Sequence, residues 1–133
     1  MLIEICEFLA NRSSFVRGTN LCVNQYLQGS PDRCAVALNI TGGEVNLFIT
    51  DYKIITIQFN TRDKDWKISR DDADIIRDVF TAMAHVDLPQ VDSGPEYRLL
   101  LAHPESDTIF IGEDEKGRKE HSISIKFHIK NKE

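Results

Sequence analysis

Near the end of the chain, Ile123, Ile125, Phe127 and Ile129 alternate with Ser122, Ser124, Lys126, His128 and Lys130. A period of two puts all the apolar side chains on one side of an extended backbone, so this stretch predicts a strand with one dry and one wet face. A short apolar strand, Thr108 to Ile111, precedes it. The charged turn between them centres on Lys116-Gly117, and the whole reads as a β-hairpin with a solvent-facing tip. A sheet with one apolar face must be covered, which calls for a helix or a second sheet.

The cover is a helix opened by Ser69. Asp72 completes a form of capping box, and Asp71, Asp72 and Asp74 suit the positive end of the helix dipole. Ala73, Ile76, Phe80 and Met83, with Ile75 and Val79 beside them, form an apolar stripe that reaches Asp87. The spacing predicts a helix to about Ala84–His85, stopped by Leu88-Pro89.

Leu2, Ile5, Cys6 and Leu9 mark a short first helix ending near Ala10-Asn11. Strands are expected at Leu21–Leu27, Arg33–Ile40, Lys53–Thr61 and Tyr97–His103, with Thr41-Gly42-Gly43 breaking the second. Glu44 to Tyr52 reads as an extended arm or a loop. The expected fold is α+β in the order α-β-β-β-α-β-β-β, with a mostly antiparallel sheet and the main helix packed on one sheet face.

At 133 residues the chain is expected to form a single domain over 1–133. A net charge of −5, from 21 acidic and 16 basic side chains, disfavours sequence-independent phosphate binding. Cys6, Cys22 and Cys34 lie in apolar stretches with no Cys-x-x-Cys pair, so free buried thiols are expected rather than a disulfide framework or zinc site. The acidic start, Met-Leu-Ile-Glu-Ile-Cys-Glu, does not read as a signal peptide, and no apolar run is long enough for a transmembrane helix.

Catalytic patterns are sparse. The serines fall in turns, at the helix start or on the wet strand face, with no Gly-x-Ser-x-Gly elbow. His85, His103, His121 and His128 are dispersed and read as surface or strand-edge residues. Asp63, Asp65, Asp71, Asp72 and Asp74 do not match a calcium loop, because Ile68 and Asp74 stand where its glycine and glutamate belong. Asp107, Asp114 and Lys116 could imitate the acid and lysine set of a metal-dependent nuclease, yet the turn holds them in solvent rather than in a cleft. Gly42-Gly43 lacks the lysine and the helix of a phosphate loop. Arg12 and Arg17 with Phe15 are a weak nucleic-acid signal. No catalytic residue, metal or cofactor is expected.

Several phrases taken together resemble the tail terminator proteins of long, non-contractile-tailed bacteriophages, also called minor capsid or head–tail joining proteins. They are Gly18-Thr19-Asn20-Leu21-Cys22-Val23 and Pro31-Asp32-Arg33-Cys34-Ala35-Val36, then Thr41-Gly42-Gly43, an Ile-rich middle strand and an acidic helix. The most specific is Gly112-Glu113-Asp114-Glu115-Lys116-Gly117-Arg118-Lys119-Glu120, followed by Ser122, Ser124 and Phe127. The resemblance implies a non-enzymatic virion protein, assembled in the bacterial cytoplasm and placed at the head-proximal end of the tail. It implies a hexameric ring of identical subunits that caps the tail tube protein, stops its polymerisation and meets the head-completion connector. DNA would pass through without specific binding, and no membrane is involved. Another head–tail or baseplate adaptor is the alternative within this class. Leu47, Phe48 and Ile49 are the first candidates for a subunit or tube contact. Glu113, Asp114, Glu115, Lys116 and Arg118 are candidates for a contact loop or channel lining.

Overall fold

A computed structural model of the protein describes residues 2–40, 44–45 and 52–132. The elements are α1 (Leu2–Asn11), β1 (Leu21–Val23), β2 (Cys34–Asn39), β3 (Glu44–Val45), β4 (Tyr52–Asp63), α2 (Trp66–Val79), β5 (Met83–Asp87), β6 (Tyr97–Pro104), β7 (Ile109–Glu113) and β8 (Lys119–Asn131). The fold is α+β, with two helices and a mostly antiparallel sheet. The main path of the sheet is β1-β2-β4-β8-β6-β5, with β3 paired to β4 and β7 to β8. Only β1 and β2 run parallel among the pairs.

The spine is the pair β4–β8, in register from Tyr52↔Lys130 to Asp63↔Lys119. Both strands alternate, so Ile55, Ile57 and Phe59 meet Phe127, Ile125 and Ile123 in one buried layer. Each such side chain contributes roughly 2 kcal/mol by leaving water. Phe80, which caps α2, lies against Phe59 (ring centroids 5.9 Å), Phe127 (5.0 Å) and Phe8 of α1 (5.9 Å). One aromatic thus ties both helices to the spine. On β2, Ala35 and Ala37 join this core, while Cys34 and Val36 face the other way into a small cluster with Cys22, Tyr26 and Leu38. Both faces of β2 are therefore buried.

Several expectations are corrected. The order gains β3 and β5, and β1 ends at Val23 rather than Leu27. The main helix starts earlier, because Asp65 is its N-cap: the Asp65 carboxylate accepts from the Lys67 N–H at 2.9 Å. Ser69 is buried inside the helix, so the capping-box reading fails. The helix also stops earlier, at Val79. Ala82 takes a positive φ of 52°, and Met83 then pairs with Ala102 of β6. Strand pairing thus outweighs the helical spacing of Met83. Within the expected arm or loop, Glu44 and Val45 pair with Ile54 and Lys53 of β4. Leu47, Phe48 and Ile49 lie outside the described residues.

Candidate assembly surface

β7 departs from the alternation of its neighbours. Ile109, Phe110 and Ile111 are each about half exposed, at 56%, 49% and 45%. A bulge between Phe110 and Gly112 breaks the strict in–out order, so consecutive apolar side chains reach solvent. β7 pairs with β8 on one side, and its other edge has no strand partner among the described residues. Exposed apolar side chains on an open edge are a ready site for pairing with another chain.

Trp66, at the start of α2, extends this patch and is 43% exposed. Its ring lies 6.4 Å from Phe110 and 5.0 Å, edge-on, from His121 of β8. The Arg70 guanidinium sits over its face at 5.1 Å. His121 itself is 1% exposed, which corrects its expected surface position. Its Nδ1 meets the Ser69 Oγ at 2.8 Å, and Ser69 exchanges hydrogen bonds with Thr61. If the Ser69 hydroxyl donates to the Thr61 carbonyl, the imidazole proton is on Nδ1 and Nε2 is a bare acceptor. Burial and the nearby Arg70 charge push the His121 pKa below its ordinary value. His121 Nε2 and Arg70 Nε are both buried without a hydrogen-bond partner.

The charged turn is more tightly held than a solvated tip requires. The Asp114 carboxylate accepts from the N–H groups of Lys116 and Arg118 at 3.0 and 2.9 Å, and from Arg118 Nε at 2.6 Å. Burial opposes the charge, but these donors outweigh it and hold the Asp114 pKa down. Arg118 Nη1 also reaches Asp32 at 3.6 Å, and Glu113 pairs with Lys119 at 2.9 Å. Glu115 and Lys116 are left exposed. Gly117 supplies the positive φ of 76° that closes the turn.

The structure does not bring Asp107 and Asp114 together. They flank β7, roughly 20 Å apart along the chain, and Arg77 holds Asp107 at 2.7 Å. No grouping of three metal-binding side chains occurs among the described residues. Asp72 is engaged by Arg33 rather than by the helix dipole. Phe15 is buried, Arg17 pairs with Glu7 at 2.7 Å, and Arg12 lies over Phe8, so the expected basic–aromatic loop is internally committed. No helix among the described residues is long and apolar enough to cross a membrane.

Comparison with known families decides the class of protein. The description "Bacteriophage tail terminator protein" matches residues 8–131. The chain belongs to that family. The match runs from within α1 to the last residue of β8, so every strand among the described residues of this tail terminator lies inside it. No curated protein matches the tail terminator sequence. The family places it in the phage tail as a structural protein of the virion.

Proposed function

We propose that copies of this tail terminator form a ring that caps the head-proximal end of the tail tube.

 The ring stops further addition of tube protein and offers its other face to the head-completion connector. The observation that carries this reading is the open, apolar edge of β7 beside Trp66, in a chain whose family is structural. A ring of identical subunits needs one patch that meets a different patch on the next copy, and β7 is a ready half of such a contact. The tethered turn at Glu113–Arg118 suits a second contact, either with a neighbour or with the channel. Exposed carboxylates such as Glu115 would repel phosphate and let DNA slide.

The test is native mass spectrometry and electron microscopy of the protein alone and with purified tube ends. A closed ring of six copies, free or on the tube, is expected. A chain that stays monomeric in both conditions contradicts the reading.

A further inference from the structure

We propose that a cationic hollow on the outward face of the sheet, lined by Arg98, Lys130 and Lys132, seats the acidic outer side of α2 from a second copy of this chain. This rests on the ring reading and names the patch that the β7 side of one subunit meets on the next.

The hollow follows from strand alternation. Leu99 and Ile129 are buried in the core, so their neighbours Arg98 and Lys130 turn to the opposite face, where the register sets them side by side. Lys132 keeps the parity of Lys130, and the three, with Asn131, line an open hollow of about 300 Å³. These cations outnumber the acid beside them. Asp87, the cross-strand partner of Arg98, is reached by Lys132 at 3.2 Å and by Arg98 at 3.9 Å, and Lys130 makes no ion pair among the described residues. Two positive charges are left over, on a chain whose net charge is −5. Leu101 follows Arg98 on the same face, opposite His128, and gives the hollow an exposed apolar margin.

The complement lies on the other side of the molecule. On α2, Arg77 is shared by three carboxylates: Asp107 at 2.7 Å, and Asp74 and Asp78 at 3.5 Å. Two negative charges are left over there, and Asp78 and Asp107 are largely exposed. Ile75, also exposed, lies one turn from Asp71 and Asp78 and is an apolar counterpart for Leu101. This surface is continuous with the β7 patch, because Thr108 Oγ1 donates to Asp74 at 2.8 Å just before Ile109. An apolar centre with a polar rim, matched to opposite charge across the contact, gives a protein interface both affinity and register.

One copy cannot join its own two patches. Ala73 and Ile76 of α2 pack on the core face of β4 and β8, whereas the hollow opens on the face beyond the sheet. A second copy must therefore supply the helix. Patches on opposite faces of a subunit meet head-to-tail, the arrangement that closes into rings. Duplex DNA is the other polyanion to weigh. Two leftover cations make a small phosphate-binding surface, and a matching acidic surface already stands on the chain.

The experiment uses the full chain with Lys130→Glu in the hollow, with Asp78→Lys on the helix, and with both changes together. Both positions are exposed, and circular dichroism checks folding. Arg98→Glu and Asp107→Lys replace them should either variant fail to fold. Sedimentation is measured where the wild type assembles. Each single variant is expected to assemble about tenfold more weakly or worse, because like charges then face each other. The double variant is expected to recover most of that loss, since its reversed patches match again. Single variants that form rings as readily as the wild type would overturn the proposal and leave the ring reading standing. A double variant no better than the singles would do the same. Unchanged rings in Lys130→Glu, with a loss of duplex DNA retention on filters, would overturn it in favour of a phosphate contact. A wild type that assembles under no condition, tube ends included, would overturn both.

Discussion

Arg33, at the head of β2, grips Asp72 of α2 with two donors: Nε to Oδ2 at 2.9 Å and Nη2 to Oδ1 at 2.7 Å. The Asp72 side chain is 1% exposed and the Arg33 side chain 51%. The pair joins the helix to the start of β2 and satisfies a carboxylate that would otherwise be buried alone. Arg33→Ala is expected to lower stability by about 2–3 kcal/mol, below the cost of breaking a fully buried pair because the arginine is half solvated. Arg33→Lys should recover part of the loss, since one ammonium replaces a two-pronged contact. Urea denaturation measures both. A neutral Arg33→Ala would contradict the role given to the pair.

His121 makes stability depend on pH. Folding holds its imidazole neutral, and its pKa lies below the ordinary value of 6.5, from burial first and the Arg70 charge second, with Asp74 acting against them. The unfolded chain takes up a proton near 6.5, whereas the folded chain does so only at lower pH. The contribution is therefore complete above that value and is lost as pH falls through the folded pKa. Thermal melts across this range should show the wild type losing more stability on acidification than His121→Asn. Parallel curves for the two proteins would refute the assignment.

The thiols should be inert in the folded chain. Cys6, Cys22 and Cys34 are all buried and free. Burial pushes Cys6 up to about 12 and, aided by the nearby Cys22 thiol, Cys34 up to about 11. Alkylation at neutral pH should label none of them until denaturant is added. Fast labelling of the native chain would contradict the packing of α1 and β2.

Much of the sheet was legible because alternation carries through to burial. Ile123 to Ile129 fill the core, and Ile55, Ile57 and Phe59 do the same opposite them. His121 shares the parity of Ile123, and that phase is the signal that could have placed it inside. The β7 patch was harder to read, because the sequence there shows only a short apolar strand, while a bulge in the pairing turns three successive apolar side chains to solvent. The helix ends were misread for a similar reason. Asp65 competes with Ser69 as a cap, and Met83 fits the helical stripe yet pairs with β6. The partnership of Arg33 with Asp72 joins residues far apart in sequence, which local patterns cannot reveal.

The most direct measurement follows tube growth. Purified tail tube protein is polymerised with and without this chain, and tube lengths are read by electron microscopy. The account predicts that added chain arrests elongation, with a ring visible at one end of each stopped tube. Tubes that grow on unchanged, with no density at either end, would contradict it.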